Sequence, residues 1–124
     1  MKIFLDTDVI INILKKKPET IEKFKSLIKK GTSFFISPIV IAEIYHGAKS
    51  QEYEQIEKLF SFFKVVDINA KIGYIAGKYA NRYSKAFHKI SLEDYLIAAT
   101  AKSYNLQLWT YNKKHYPMDD IVII

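Results

Sequence analysis

Two hydrophobic patterns alternate along the chain. Short apolar runs of strand length are separated by longer segments in which apolar residues recur at helical spacing. Such alternation is typical of a parallel sheet covered by helices on both faces. We therefore predict a three-layer α/β/α fold. The predicted strands are residues 2–5, 34–36, 65–66, 106–110 and 121–124.

Helical spacing predicts six helices between these strands. Ser37 followed by Pro38 is a capping residue with proline at the first helical position, and Ser91 opens a later helix. Gly31 is a plausible residue to end the second helix. The predicted helices are residues 9–14, 18–30, 38–47, 53–63, 72–83 and 91–99.

Length and composition favour a single domain over residues 1–124. The chain is 49% hydrophobic and has no cysteine, which excludes disulfides and thiolate metal sites. No stretch reaches the roughly 20 apolar residues that span a bilayer. Asp6 and Asp8 interrupt the apolar N-terminal segment, which argues against a signal peptide. We expect a cytoplasmic protein with no membrane association.

The net charge of +6 and the pI of about 9.4 favour polyanionic partners. The lysine-rich composition does not by itself imply such a partner, because a high lysine content can also arise in a protein that binds no nucleic acid. The distribution of the acids matters more. If Asp6, Glu43 and Asp94 converge, an acidic pocket lies within a basic surface, which suits a metal ion together with phosphate.

Polar residues follow the predicted strands at the sheet edge where ligands of such folds bind. Asp6 and Asp8 follow the first strand, Glu43 lies in the helix after the second, and Asp94 lies in the first turn of the helix before the fourth. Thr110 and Asn112 follow that fourth strand, and we expect both to hydrogen-bond Asp6. Asp6 and Asp94 are also plausible helix caps, and Asp94 fits a capping box with Ser91. We expect Asp8 to lie beside the metal ligands, with metal ligation or a helix cap as its alternatives.

Carboxylates from separate elements are the oxygen ligands that Mg²⁺ prefers. Bound metal activates water and neutralises charge that develops on a phosphate. The sequence offers no glycine-rich phosphate loop and no HExxH zinc motif. We therefore predict that Asp6, Glu43 and Asp94 bind Mg²⁺ or Mn²⁺ and are catalytic.

Four segments in order resemble the motifs of the PIN-domain ribonucleases, especially the VapC-type toxins. They are residues 3–11, 37–44, 92–101 and 108–112, and the stretch from the first segment to the last spans nearly the whole chain. The resemblance implies a four- or five-stranded parallel sheet and metal-dependent endoribonuclease activity. It also implies a homodimer and an antitoxin partner.

One position departs from that family pattern. His115 stands where an aspartate that helps to hold a second metal usually follows Asn112. Three alternatives follow for His115: it ligates metal, it contacts phosphate beside the metal, or it faces away while Asp119 or Asp120 substitutes. We expect Glu93 to be a solvated neighbour of Asp94, with a site role as the alternative.

Two other functions remain open. A PIN domain weakened by His115 would act as a module that binds RNA or protein. A phosphatase of the haloacid-dehalogenase type would use Asp6 and Asp8 after the first strand, with Asp119 and Asp120 as its late acidic pair. That second function leaves Glu43 and Asp94 unexplained.

Overall fold

A four-stranded parallel sheet forms the centre of the protein in the computed structural model, which describes residues 1–124. Six α-helices flank the sheet and confirm the predicted α/β/α architecture. The strands are β1 (Lys2–Leu5), β2 (Ser33–Ile36), β3 (Lys64–Val65) and β4 (Gln107–Trp109), in the order β3-β2-β1-β4. The helices are α1 (Thr7–Leu14), α2 (Pro18–Lys29), α3 (Pro38–His46), α4 (Tyr53–Phe60), α5 (Ala70–Tyr83) and α6 (Leu92–Ser103), with single 3-10 turns at Ser50–Glu52 and Lys113–His115.

Strand β1 lies inside the sheet, and its sequence explains why. Ile3, Phe4 and Leu5 are fully buried, as expected for a strand covered on both faces. Leu5 lies opposite Trp109 of β4, and the backbone N–H of Asp6 donates to the Trp109 carbonyl over 3.1 Å. This register places the residues after β1 and β4 side by side.

The predicted helix ends are confirmed by their capping contacts. The Ser37 hydroxyl accepts from the N–H of Val40, and the Ser91 hydroxyl accepts from the N–H of Asp94. After α2, Gly31 has a φ of +77°, a left-handed conformation that costs glycine little. Ser37 and Ser91 thus begin α3 and α6, and Gly31 ends α2 shortly before β2.

The predicted last strand, residues 121–124, is wrong in extent. It makes only one parallel bridge, between Ile123 and Leu108. Its partner β4 has only three residues, and Thr110 leaves the sheet to contact Asp6. The segment therefore adds one rung to the sheet edge and forms no strand of its own.

The chain order of the strands locates the edge at which a ligand would bind. Strands β2 and β3 lie on one side of β1, and β4, the last strand in the chain, lies on the other side of β1. In open parallel sheets, ligands bind at the carboxyl ends of strands where the direction of winding reverses. That point lies between β1 and β4. None of the helices is long and apolar enough to cross a membrane.

Candidate active site

Asp6 is the most buried acid at this edge. Its side chain is 8% exposed and receives hydrogen bonds at both oxygens. Oδ1 accepts from the Thr7 N–H at 2.8 Å, and Oδ2 accepts from the Thr110 hydroxyl at 2.8 Å. The Thr110 contact follows from the register of β1 and β4. Asp6 therefore caps α1, as one interpretation of the sequence held, and it also turns its carboxylate toward β4.

Asp94 comes from the start of α6. The predicted capping box with Ser91 is present, since the Ser91 N–H donates to Asp94 Oδ2 at 3.2 Å. The same oxygen lies 2.9 Å from Nδ1 of His115. The cap fixes the carboxylate on its own helix without removing it from the sheet edge.

Tyr116 joins these two acids. Its hydroxyl donates to Oδ2 of Asp6 at 2.9 Å and lies 3.4 Å from Oδ1 of Asp94. The side chain is buried, and desolvation together with the neighbouring carboxylates raises the pKa of the Tyr116 phenol well above its usual value. The phenol therefore stays protonated, donates its one hydrogen to Asp6 and lies between the two acids.

Sequence reasoning missed Tyr116. An aromatic residue two positions before Met118 in an apolar segment looks like a core residue, and the ring is indeed part of the core. Only the position directly after His115, in the segment that follows Asn112, pointed to the site.

Glu43 approaches the cluster from α3. Its Oε1 accepts from the Thr7 hydroxyl at 3.0 Å, and Thr7 follows Asp6 directly. Partial desolvation raises the pKa of Glu43, and the charges of Asp6, Asp94 and Glu93 raise it further. The predicted acids of three separate elements thus influence one another electrostatically.

Asp8 and Glu93 lie beside this group. Oδ2 of Asp8 accepts from the Tyr111 N–H at 3.1 Å, whereas its Oδ1 is buried without a partner. Burial, and secondarily the charge of Asp6, raises the pKa of Asp8 to about 6. Glu93 is exposed and contributes through its charge on Glu43.

Asn112 has a different role from the one expected. It makes no hydrogen bond with Asp6. Its backbone N–H donates to the Thr110 hydroxyl at 3.0 Å, and its side-chain amide lies 3.0 Å from Nδ1 of His115. The reason is geometric, since the chain turns away from the sheet after Thr110 and carries Asn112 toward the 3-10 turn that contains His115.

His115 faces Asp94, and the late acidic pair does not take its place in the cluster. Asp120 instead accepts from the Tyr79 hydroxyl at 2.8 Å and pairs with Lys102 at 3.7 Å. This arrangement also leaves the haloacid-dehalogenase interpretation without a late acid near Asp6. Because an ionised carboxylate only accepts, Nδ1 of His115 must be the donor in its contact with Asp94, and the same nitrogen cannot then accept from the Asn112 amide.

The donor set fits a hard divalent cation. No group of three acidic or histidine side chains already stands in ligating positions, so the fit rests on the chemistry of the donors. Mg²⁺ is commonly held by only one or two carboxylates, with water and substrate phosphate completing its shell. The pair Asp6 and Asp94 meets that need, and the partnerless buried oxygen of Asp8 marks further acceptor capacity beside it.

Comparison with known proteins identifies the family of the chain. The family model of the PIN domain matches residues 3–121. Ribonuclease VapC10 of Mycobacterium tuberculosis is 35% identical over 116 residues, which cover 94% of this chain and 86% of that protein. Ribonuclease VapC1 of Haemophilus influenzae is 36% identical over 117 residues, which cover 90% of this chain and 87% of that protein.

Solved structures show the same fold. VapBC2 from Rickettsia felis, bound to a DNA fragment from its promoter, superposes with a TM-score of 0.85 at 25% identity and covers 100% of this chain and 98% of that one. VapBC-1 from nontypeable Haemophilus influenzae superposes with a TM-score of 0.83 at 30% identity and covers 100% of this chain and 97% of that one. The chain belongs to the PIN-domain family, among the VapC ribonucleases.

Proposed function

We propose that the protein is a metal-dependent endoribonuclease that hydrolyses phosphodiester bonds of RNA. The observation that carries the proposal is the junction of Asp6, Tyr116 and Asp94 at the switch point of the sheet. The relatives named as VapC ribonucleases support the same activity. The net charge of +6 adds general attraction for RNA.

Asp6, Asp94 and Glu43 would hold Mg²⁺ or Mn²⁺, which supplies an activated water and neutralises charge on the phosphate. Asp6 keeps its orientation through Thr7 and Thr110, so its carboxylate needs no rearrangement before substrate binds. The single hydroxyl hydrogen of Tyr116 donates to Asp6, and the hydroxyl lies between the Asp6 and Asp94 carboxylates.

We further propose that this endoribonuclease is the toxin of a toxin–antitoxin pair. The structures of similar fold from Rickettsia felis and Haemophilus influenzae are VapBC proteins, and one from Klebsiella pneumoniae is described as a toxin–antitoxin complex. An antitoxin that binds this chain would control its activity. We also propose that the protein forms a homodimer and acts in the cytoplasm, where RNA is made.

Incubation with short single-stranded RNA tests the activity. We expect cleavage with Mg²⁺ or Mn²⁺ and none with EDTA, and mass spectrometry of the fragments identifies internal cuts. Undiminished cleavage in EDTA would refute the metal requirement.

The second candidate is a PIN domain that binds RNA without cutting it. The contact between His115 and Asp94 favours it, because a histidine occupies the space beside Asp94 in which the family pattern places an acid. Tight RNA binding without cleavage in either metal would support this function against the enzyme.

A further inference from the structure

A cleft that the proposed metal site does not use opens beside His115. It lies between the loop that follows α5 and the segment that follows β4, and its volume of about 380 Å³ is within the range of ligand pockets. Its walls include Phe87, Lys89 and Ile90 from the first segment and Asn112, Lys114 and His115 from the second.

The cleft adjoins the acids directly. His115 forms part of its wall, and Nδ1 of the same ring lies 2.9 Å from Asp94. A ligand that fills the cleft would therefore end next to the carboxylates that are proposed to hold metal. Its position beside Asp94 suits the part of the substrate that flanks the reacting phosphate.

The charge of the cleft favours an anion. None of its lining residues is acidic. Lys89 and Lys114 are exposed, one on each segment, and neither forms an ion pair within the protein. Two unpaired ammonium groups suit an RNA strand, because a nucleotide bound in the cleft has one phosphate on each side and each lysine can contact one of them.

Phe87 gives the cleft a flat apolar wall. Its side chain is 40% exposed, although such a ring is usually buried. The backbone N–H of Phe87 donates to the Tyr83 carbonyl at 2.9 Å, and the two rings pack edge to face with centroids 6.2 Å apart. The ring is thus anchored to the end of α5 and stays available for stacking.

We propose that this cleft binds one unpaired nucleotide of the RNA next to the phosphate that is cut. The base stacks on Phe87, and Lys89 and Lys114 contact the adjoining phosphates. Stacking on an exposed aromatic ring requires a base that is free of its duplex partner, so the proposal specifies single-stranded RNA. It rests on the proposed endoribonuclease function and adds the place and the residues at which the strand beside the cut is bound.

Binding of a fluorescent eight-nucleotide single-stranded RNA, measured by anisotropy in EDTA so that the strand stays intact, tests this subsite. Phe87→Leu loses the stacking of one base, so it should bind this RNA roughly 5- to 140-fold more weakly than wild type. Phe87→Tyr keeps the aromatic face and should bind within about twofold of wild type. A duplex of the same sequence should bind wild type and Phe87→Leu equally.

The lysines are tested by the dependence of binding on salt. For Lys89→Gln combined with Lys114→Gln, the slope of log affinity against log salt should fall by about 1.4, since each lost phosphate contact of a single strand is worth about 0.7. The matched control is Lys29→Gln combined with Lys30→Gln. These two adjacent lysines lie where α2 leads into the start of β2, at the amino ends of the strands and away from the cleft. Their loss should leave the slope unchanged.

The outcomes separate this inference from the proposed function. Unchanged single-strand affinity in Phe87→Leu, or equal slopes in the two double-lysine variants, would overturn the subsite even if the wild type still cuts RNA with metal. A wild-type protein that neither binds nor cuts RNA would overturn both.

Discussion

The hydroxyl of Tyr116 lies 2.9 Å from Oδ2 of Asp6, an oxygen that also accepts from Thr110. Two donors thus converge on one oxygen, whereas Oδ1 receives only the Thr7 N–H. A carboxylate oxygen has two acceptor positions, so Oδ1 keeps one of them for a cation. The phenol therefore orients Asp6 without blocking it, which makes Tyr116 a positioning residue.

Replacing Tyr116 by phenylalanine tests that role. Loss of an outer partner of a metal ligand typically costs about 10- to 100-fold in metal affinity, and we expect a loss of that size for Mg²⁺ by calorimetry. The free energy of unfolding without metal should also fall by about 1.5–3 kcal/mol, because a hydrogen bond to a charged group is lost.

Tyr79→Phe is the matched control for that experiment. Tyr79 also donates to a carboxylate, that of Asp120 at 2.8 Å, but on α5 and outside the cluster. The control should lose stability and keep its Mg²⁺ affinity. Equal Mg²⁺ affinity in Tyr116→Phe and wild type would show that the hydroxyl has a structural role only.

Asp8 should make stability depend on pH in a defined direction. Its pKa is about 6 in the folded protein against an ordinary value of 3.8. Between these values the unfolded chain releases its proton first, so the Asp8 contribution to stability falls as pH rises and is lowest above pH 6. In Asp8→Asn the amide oxygen still accepts from the Tyr111 N–H, and no charge is buried.

Thermal unfolding in EDTA from pH 4 to 8 provides the measurement. Asp8→Asn should melt with the wild type near pH 4 and at a higher temperature above pH 6. A difference in melting temperature that stays constant across this range would contradict the buried charge at Asp8.

The sequence was sufficient to predict the parts of the site that mark the ends of secondary-structure elements. Asp6 ends a buried strand, and Asp94 lies in a capping box, so local patterns point to both. Tyr116 and the contact of Asn112 with His115 depend on how the segment after β4 folds back over α6. No local pattern encodes that path, because an aromatic ring among apolar residues predicts burial and nothing about its hydroxyl.

The last strand shows the same limit within the fold. An isoleucine-rich run predicts a strand, but its length in a sheet depends on the partner that receives it. Here β4 offers Gln107–Trp109, and only Leu108 bridges to the terminal segment. The three isoleucines of the segment pack, partly buried, against the core, but the apolar pattern does not encode the extent of their pairing.

His115 should set the preference among metals. Imidazole suits Mn²⁺ better than Mg²⁺, so we expect the wild type to bind its second metal weakly and to prefer Mn²⁺. His115→Asp places a carboxylate beside Asp94, within reach of the position now held by Nδ1. It should tighten Mg²⁺ binding and shift the preference toward Mg²⁺.

Calorimetric titration with each metal checks this prediction. His115→Ala is the control that separates the added acid from the lost imidazole, and it should not gain Mg²⁺ affinity. If His115→Asp and His115→Ala bind Mg²⁺ equally, residue 115 lies outside the metal site.

The central claim is that Asp6, Glu43 and Asp94 act together to cut RNA, and single-turnover cleavage of single-stranded RNA with Mg²⁺ or Mn²⁺ tests it most directly. Asp6→Asn, Glu43→Gln and Asp94→Asn should stay folded by circular dichroism. Each should cut RNA more than about 100-fold slower than wild type, because loss of a residue that only hydrogen-bonds a metal ligand already costs up to about that factor. Asp67→Asn and Glu57→Gln make the same chemical changes at exposed positions elsewhere and should cut at the wild-type rate. Wild-type rates in Asp6→Asn and Asp94→Asn would contradict the account.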